Sequence, residues 1–269
     1  MNICIIGNSK RTEILKNNLI RSNYTIASYR SCDELPAKID AQIIILPIPT
    51  VNLNGKLNLG GSFTLTVEEL LDRTLNTSTV ITCGYSVKGF NTVDLNTRDD
   101  FAYLNAIPTA EGAISIAISE CDISLFYAKT IIFGFGRIGK ILANRLHAMG
   151  CDVTVAARSL KDLSYAKSLG FSAIKISEVQ KLIINYDLIF QTVPSPVITA
   201  DIIDNIKKTA TVIELSSKSV GTNTEYAAHN GIKVISAMGL PEKTSPTTAG
   251  YILTESIGNI LHELNGGNI

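Results

Sequence analysis

The chain has 269 residues, a formal net charge of zero and a pI near 6.8. This length suits one large domain or two modest domains, each with its own core. The balanced charge gives no bulk attraction to nucleic acid or to an anionic membrane surface, so small-molecule partners are favoured. The five cysteines are scattered and form no Cys-x-x-Cys pair. This usage indicates neither a disulfide framework nor a zinc site, and no cluster has metal-ligand spacing.

The start of the chain enters a strand pattern at once, with no charged leader before a long apolar segment. No other run approaches the roughly 18 apolar residues that would cross a bilayer. Together with the cysteine usage, these observations predict a soluble protein of the reducing cytoplasm, with no membrane partner.

Strand and helix patterns alternate through the first part of the chain. Apolar strands are predicted at residues 2–7, 41–47 and 79–84, with helical patterns between them. Such strands favour a parallel sheet covered on both faces. Ligands of these sheets bind beyond the carboxyl ends of the strands, which places residues 8–11 at that rim. Residues 54–62 are rich in glycine and asparagine and predict a loop, either a mobile lid or a surface hairpin.

A proline precedes the helical pattern that leads into the second part of the chain. Pro108 is predicted to end an extended stretch, and Thr109 to cap a helix that links two domains over residues 109–127. Thr109 and Glu111 then lie at the helix start. Either they reach a ligand between the domains, or they only satisfy and complement the helix N-terminus.

A glycine-rich turn follows the next apolar strand. Gly134 permits a sharp turn, Gly136 lets the backbone approach a pyrophosphate, and Gly139 allows a new helix to pack closely on its strand. The unpaired N–H groups at the helix start would face the phosphates. A purely structural turn is the alternative. The predicted dinucleotide-binding residues of this segment are Gly134, Phe135, Gly136, Arg137, Ile138 and Gly139.

The end of the following strand bears on the choice of nucleotide. Arg158 and Ser159 stand where an NAD-selective site usually has an acidic residue. A guanidinium can hold a 2′-phosphate, whereas a carboxylate would repel it. NADP is therefore the predicted cofactor, with NAD possible if Arg158 is only a solvated loop cation.

Three more strand patterns begin at residues 186, 210 and 231. Their polar ends are predicted to touch nicotinamide and substrate, although hydroxyls there could equally be turn formers. The final helical pattern has one apolar face that must be buried, and we expect it to return to the first domain. Thr248 at its start offers backbone donors to a carboxylate, or belongs to an ordinary capped start. The strand-end residues are Thr192, Pro194, Ser216, Ser217 and Lys218.

These patterns together predict an α/β fold of two Rossmann-like domains with parallel sheets. The first comprises residues 1–108 plus 245–269, and the second, which binds NADP, comprises residues 109–244.

Four segments along the chain carry a likeness to one family. They are residues 105–113, the glycine fingerprint with residues 157–159, Thr192-Val-Pro-Ser195, and Gly239-Leu-Pro241 with residues 246–250. Together they resemble the family of dipicolinate synthase A subunits. The resemblance implies a fold like that of formate, glycerate and S-adenosylhomocysteine enzymes, and the oxidation of dihydrodipicolinate to dipicolinate with NADP. It also implies that the partner is a flavoprotein-like B subunit, with a role in endospore formation; we further expect a homo-oligomer.

The chain departs from the family pattern at Lys218-Ser-Val-Gly221, where the family tends toward Arg-Pro-Gly-Gly, and at Glu242, where it tends toward glycine. Lys218 keeps a charge but gives up the planar fork that pairs bidentately with a carboxylate. Two other functions therefore stay open. One is another NADP-dependent dehydrogenase of a small carboxylic acid, and the other is a non-catalytic subunit that binds NADP.

A cyclic dicarboxylate substrate needs cations or N–H donors for its two carboxylates. Lys218 and Arg11 are the predicted anchors, and Thr109 and Thr248 are supports with Ser217. Glu111 is the predicted proton acceptor if one is needed.

Overall fold

The computed structural model describes residues 1–216 and 221–266. The chain divides into two compact units, which are described one at a time. Unit 1 comprises Met1–Asn105 and Ser245–Ile269, and unit 2 comprises Ala106–Thr244. Each unit is built on a parallel sheet with helices, so the predicted fold class is confirmed.

The sheet of unit 1 has the strand order β2-β1-β3-β4-β5 with every pair parallel. Side chains of β1 alternate between two apolar clusters: Ile3 and Ile5 join one, and Cys4 and Ile6 the other. The central strands are therefore buried on both faces, as continuous apolar runs predict. The strands are β1 (Asn2–Ile6), β2 (Thr25–Tyr29), β3 (Ile43–Ile45), β4 (Thr79–Thr82) and β5 (Asn91–Asp94).

Two helices of unit 1 begin at side-chain caps. Helix α1 (Lys10–Arg21) starts behind Ser9, whose hydroxyl accepts the N–H of Thr12 at 3.3 Å. Helix α2 (Val67–Leu71) starts with a reciprocal capping box between Thr66 and Glu69. Each cap satisfies N–H groups that the first turn of a helix leaves without an internal partner.

The segment at residues 54–62 is a surface hairpin. Val51 and Leu57 form an antiparallel bridge, and Leu57 and Leu59 are buried in a core cluster. The hydroxyl and the N–H of Ser62 both donate to the carboxylate of Asp33, the N–H at 2.9 Å. These two bonds hold the pKa of Asp33 below its usual range. Of the two interpretations of this loop, the hairpin is the one that the structure has.

Helix α3 (Asp99–Glu120) is longer than the sequence analysis expected and contains Pro108 within it. The prediction of a start at Thr109 and an end at residue 127 is wrong. Proline lacks the N–H for one intrahelical bond and usually ends a helix. Here Phe101 and Ala106 before the proline, and Ala110 after it, are buried. Burial of both flanks outweighs the lost bond.

Among the described residues, one helix, α3, is long and apolar enough by length and composition to cross a membrane. The sequence analysis expected no such run. Half of its most apolar window, 50%, is buried inside the protein, and core helices pass the same test.

The sheet of unit 2 has the strand order β11-β10-β9-β6-β7-β8, again with all pairs parallel. Its first strand, β6, stands between β7 and β9, which is the order of dinucleotide-binding folds. The strands are β6 (Lys129–Phe133), β7 (Asp152–Ala157), β8 (Ser172–Lys175), β9 (Leu188–Gln191), β10 (Thr211–Glu214) and β11 (Lys233–Ser236). The helices are α4 (Arg137–Ala148), α5 (Leu160–Ser168), α6 (Ala200–Ile203), α7 (Thr224–His229) and α8 (Leu240–Thr244).

The last helix, α9 (Pro246–Leu264), belongs to unit 1, as predicted. Leu253 and Ile257 of α9 share a buried cluster with Leu15 and Leu19 of α1. Full burial of each such side chain stabilises the fold by about 1.5–3 kcal/mol. The apolar face that the sequence required to be buried is thus covered by α1 and the sheet of unit 1.

Candidate functional site

The strand order of unit 2 creates a crevice between β6 and β9. The two strands are neighbours, and the chain leaves them in opposite directions across the sheet, toward β7 and β10. Open α/β sheets bind ligands at this kind of switch point, beyond the carboxyl ends of the strands. Gly134 follows β6, and Thr192 follows β9 and donates its hydroxyl to the carbonyl of Phe133 at 2.8 Å. Two of the predicted cofactor-binding segments therefore meet here.

The three glycines of the turn have distinct roles. Gly134 has φ +96°, and a β-carbon there would lie 2.5 Å from Oγ1 of Thr192. A β-carbon at Gly139 would overlap the carbonyl oxygen of Gly134, so helix and turn approach too closely for any side chain. Around Gly136, by contrast, no atom of the described residues other than its two chain neighbours lies within 4 Å of such a β-carbon. The outer glycines serve the fold, and the middle one leaves backbone accessible, which fits a pyrophosphate.

The start of α4 provides donors for an anion. Gly136 is the N-cap residue and provides no side chain to satisfy the first turn. The first N–H groups of α4 and the positive end of its dipole are thus available to a phosphate. The ring of Phe135 is buried, so Phe135 could contact a cofactor only through its backbone, whereas Ile138 is half-buried against the same core. The side chain of Arg137 is half-buried at the first helical position.

The end of β7 carries the residues predicted to select the nucleotide. Arg158 is exposed directly after the strand. Ser159 is the N-cap of α5, and its hydroxyl accepts the N–H of Asp162 at 3.4 Å. Ser159 therefore has a structural task, and Arg158 is the side chain at this position that can reach toward solvent or a ligand.

Past β9 and β10, the predicted contact residues differ in exposure. Pro194 is exposed, whereas Ser216 is buried, and its hydroxyl has no hydrogen-bond partner among residues 1–216 and 221–266. A buried hydroxyl without a partner is costly in a folded protein, so it is a sign of a missing partner. The predicted residues Ser217 and Lys218 lie outside the described residues.

Two buried polar residues at these strand ends escaped the sequence analysis. Gln191 and Glu214 end β9 and β10, and both are 0% exposed. The carboxylate of Glu214 accepts the N–H of Ser216 at 3.0 Å and the hydroxyl of Thr222 at 2.7 Å. The amide of Gln191 accepts the N–H of Val193 at 2.6 Å and donates to its carbonyl at 2.8 Å. The sequence signal that could have revealed these two residues is a single polar residue at the end of each apolar strand.

The predicted site residues of α3, Thr109 and Glu111, lie in unit 2 and have roles other than those predicted. Thr109 is not a helix cap, because it lies inside α3, where it is 8% exposed. The carboxylate of Glu111 forms an ion pair with Arg145 of α4, and the two side chains are 50% and 36% exposed. The predicted proton acceptor is thus already engaged by a guanidinium.

Unit 1 has its own switch point, between β1 and β3. Arg11 of α1 is only 4% exposed there and donates from Nη2 to the carbonyl of Ile48 at 3.4 Å. Close by, Thr50 accepts the N–H of Cys83 at 2.7 Å. Burial raises the pKa of the Cys83 thiol to about 12, against the opposing effect of Arg11. Arg11 therefore braces the chain after β3, while Thr248 is exposed in the first turn of α9.

Comparison with protein families supports the assignment of unit 2. Residues 119–220 match the D-isomer specific 2-hydroxyacid dehydrogenase, NAD binding domain. The matched segment contains the glycine turn, Arg158 and the ends of β9 and β10. The chain therefore carries a dehydrogenase-type domain for a nicotinamide dinucleotide.

Comparison with individual proteins finds a likeness to one subunit of a synthase. The chain is 33% identical over 172 residues to the A subunit of dipicolinate synthase from Bacillus subtilis (strain 168). These residues are 64% of this chain and 58% of the relative, so the alignment spans less than two thirds of that protein.

Solved structures extend the likeness further along the chain. The dipicolinate synthase A subunit from Bacillus halodurans superposes with a TM-score of 0.84 and 29% identity, over 97% of both chains. The corresponding protein from Bacillus subtilis superposes with a TM-score of 0.85 and 25% identity, over 99% of this chain and 97% of the other. The predicted resemblance to the family of dipicolinate synthase A subunits is confirmed.

Proposed function

We propose that this protein is the A subunit of a dipicolinate synthase, which oxidises dihydrodipicolinate to dipicolinate with NADP⁺. The observation that carries the proposal is the likeness of fold and sequence to two solved A subunits, which extends over 97% or more of the chain. The glycine turn after β6, with open space at Gly136, adds a nucleotide site that this reaction requires.

The cofactor assignment rests on the turn and on Arg158. Bound NADP⁺ would supply a hydride acceptor for the dihydropyridine ring. The N–H groups that start α4 would hold its pyrophosphate, and the exposed guanidinium of Arg158 would pair with the 2′-phosphate. The buried hydroxyl of Ser216, which has no partner among the described residues, would complete its hydrogen bonding on the nicotinamide side.

The substrate assignment rests on the resemblance together with the available charges. Removal of two hydrogens from dihydrodipicolinate takes one hydride and one proton, and the aromatic product provides much of the driving force. Lys218 and Arg11 are the proposed anchors for the carboxylates, with Thr109 and Thr248 as hydrogen-bonding supports. Glu111 would have to give up its ion pair with Arg145 to accept the proton. Orientation and charge complementarity would therefore be the main contributions of the protein.

We further propose a partner protein, because the relatives are named as one of the subunits of a synthase. We propose a flavoprotein-like B subunit as this partner and a role in endospore formation, as the resemblance implies. The cytoplasm is the proposed compartment, on the basis of the scattered cysteines.

The test is to mix the purified protein with dihydrodipicolinate and NADP⁺, with and without a co-expressed B subunit. We expect dipicolinate and NADPH in equal amounts. Nucleotide binding without turnover, in both conditions, would leave a non-catalytic NADP-binding subunit instead.

The cofactor preference has its own test. Arg158→Ala should weaken NADP⁺ binding by about tenfold or more, the loss of one charge-assisted phosphate contact, and change NAD⁺ binding little. Lys161→Ala is the matched control, because Lys161 is an exposed cation three positions further on, within α5. Equal losses for both nucleotides in Arg158→Ala would overturn the preference for NADP.

A second candidate is an NADP-dependent dehydrogenase of another small carboxylic acid. It is favoured by the match to the 2-hydroxyacid dehydrogenase domain and by Lys218 and Glu242, which depart from the family pattern. Turnover of a 2-hydroxy acid, with none of dihydrodipicolinate, would support it.

A further inference from the structure

The ends of β9 and β10 are joined by a buried polar clamp, formed by Gln191 and Glu214. The two residues are opposite each other in the parallel register of the strands. The carboxylate of Glu214 accepts from both the N–H of Ser216 and the hydroxyl of Thr222, so it fixes these two residues to the end of β10. Gln191 holds the turn after its own strand by two bonds to Val193.

The clamp also joins the two loops to each other. A β-carbon at Gly221 would overlap the side-chain amide of Gln191, so the second loop packs directly on that amide. The carbonyl of Gly221 accepts the N–H groups of Val197 and Ile198 at 3.0 and 2.9 Å. The loop after β9 and the return from β10 therefore form one connected structure.

Stability alone does not account for a carboxylate at position 214. A fully buried carboxylate carries a large desolvation cost, and well-packed apolar residues often replace buried charges without loss of stability. The residues before it, Val212 and Ile213, are apolar and buried in the same strand. Both oxygens of Glu214 instead accept hydrogen bonds, one from the N–H of Ser216, a predicted cofactor-binding residue, and one from the hydroxyl of Thr222.

We propose that Glu214, supported by Gln191, is a positioning residue for the reaction. It sets the place of Ser216 and of Thr222, and it touches neither cofactor nor substrate itself. This inference rests on the proposed oxidation of a small dicarboxylate with NADP⁺.

The experiment compares Glu214→Ala, Glu214→Gln and Thr222→Val. Glutamine can accept from the N–H of Ser216 and donate to Oγ1 of Thr222, so it keeps both bonds without the charge. We expect Glu214→Ala to lower kcat/KM for dihydrodipicolinate by about 10- to 100-fold, as loss of a supporting shell does at other sites. Because Ser216 is a predicted cofactor contact, the dissociation constant of NADP⁺ should also rise, but by less than kcat/KM falls, since the proposed phosphate contacts at the glycine turn and Arg158 are separate. Glu214→Gln should return kcat/KM to within about threefold of the wild type.

Thr222→Val removes one arm of the clamp and should give an intermediate loss. Its matched control is Thr130→Val, which removes a buried hydroxyl bonded to the Ala128 carbonyl at the opposite end of the sheet. A loss in Glu214→Gln as large as in Glu214→Ala would show that the charge itself is used, and would overturn a positioning role. Equal losses of kcat/KM in the two threonine variants would mean that the clamp only contributes to general stability, and would also overturn the proposal.

A readout independent of turnover separates this proposal from the proposed function. Hydrogen exchange at the N–H of Ser216, which donates to Glu214 at 3.0 Å, reports how firmly this residue is held. The exchange rate should rise in Glu214→Ala by at least about tenfold, a loss of about 1.4 kcal/mol, and be restored in Glu214→Gln. If the wild type oxidises no dihydrodipicolinate, the proposed function fails while this comparison still decides the clamp. Unchanged exchange in Glu214→Ala would overturn the clamp.

Discussion

Both units have a switch point in the strand order of their sheet, but the turns and helix starts at the two switch points differ. In unit 2 the turn after β6 has open space at Gly136, and the first N–H groups of α4 have no side-chain cap. In unit 1 the turn after β1 borders a cavity of only about 50 Å³, and side chains of the turn and of α1 bond or crowd its backbone. Ser9 caps α1, a β-carbon at Gly7 would lie 3.0 Å from Cγ2 of Thr12, and Arg11 is buried against the carbonyl of Ile48.

The difference teaches that strand order alone does not identify a nucleotide site. A helix start binds a phosphate only where its N–H groups are left to a ligand. The hydroxyl of Ser9 takes that position in unit 1, whereas a glycine leaves it open in unit 2. Three tests, from the largest expected effect to the smallest, can break or sharpen this contrast.

The strongest test separates the two functions of glycine within the turn of unit 2. Gly139→Ala places a methyl group on the Gly134 carbonyl and should destabilise the protein by about 1–3 kcal/mol or more, while abolishing NADP⁺ binding. Gly136→Ala meets open space at φ −79° and should cost less than about 0.5 kcal/mol, yet weaken NADP⁺ by about tenfold or more. Urea unfolding and titration calorimetry measure both quantities. Full NADP⁺ affinity in Gly136→Ala would contradict the open turn as the pyrophosphate site.

A second test concerns the core of unit 1. A β-carbon at Gly250 of α9 would lie 2.7 Å from the β-carbon of Ile14 of α1. Gly250→Ala should therefore separate the two helices at a cost of about 1–3 kcal/mol, seen as faster hydrogen exchange in α1 and α9. NADP⁺ affinity should stay within about twofold, because the glycine turn belongs to unit 2.

The matched control for that substitution is Gly258→Ala. Position 258 is also in α9, but apart from its chain neighbours and the backbone of α9, no atom of the described residues lies within 4 Å of a β-carbon there. Alanine should stabilise the helix by up to about 1 kcal/mol. Similar destabilisation by both substitutions would mean that Gly250 is not a packing contact.

The mildest test removes an ion-pair network that fastens α9 within unit 1. Arg98 donates from Nη2 to Glu263 at 2.7 Å and from Nε to Asp100 at 3.0 Å. Arg98→Ala should cost about 1–2 kcal/mol in urea unfolding at neutral pH, because the pairs are only partly buried. Arg98→Lys, which keeps the charge without the fork, should lose less.

This network also predicts the direction of a pH effect. Bonds from Arg98 hold the pKa of Glu263 below its usual value of 4.5. A lowered pKa in the folded state contributes stability above the unfolded value, and this is lost as the pH falls through the folded value. The wild type should therefore lose this contribution as the pH falls from about 5 to about 3, and Arg98→Ala should lose less over that range. Parallel curves would rule out the network as the cause.

How well the sequence predicted each strand depended on burial. The central strands were predicted because residues such as Ile43–Ile45 form continuous apolar runs that are buried on both faces. Among the half-buried edge strands, β11 was predicted from its apolar residues, and β2, β5 and β8, which carry polar residues such as Asn91 and Ser172, were missed. Their pairing comes from the neighbouring strand and not from a local pattern.

The site residues were predictable where local backbone geometry requires a particular residue type. They were less predictable where a side chain is buried against distant parts of the chain. The roles of Gly134 and Gly139 follow from local geometry, so a motif reveals them. The burial of Arg11, and the partners of Gln191 and Glu214, depend on loops that return from elsewhere in the sheet. Pro108 was misread for the same reason: tertiary burial of its flanks, which the local rule cannot see, kept the helix intact.

Unit 1 is formed by two stretches of chain with unit 2 between them, so its core is completed only after residues 245–269 have been synthesised. Residues 106–244 leave the ribosome as a continuous segment and can form their own sheet and core at once. The sheet strands of unit 1 emerge earlier but must wait for α9, which covers Leu15 and Leu19 of α1. Until then this apolar face is exposed to water and to other chains. Unit 1, whose strands precede unit 2 in the chain, is thus the later of the two to close its core.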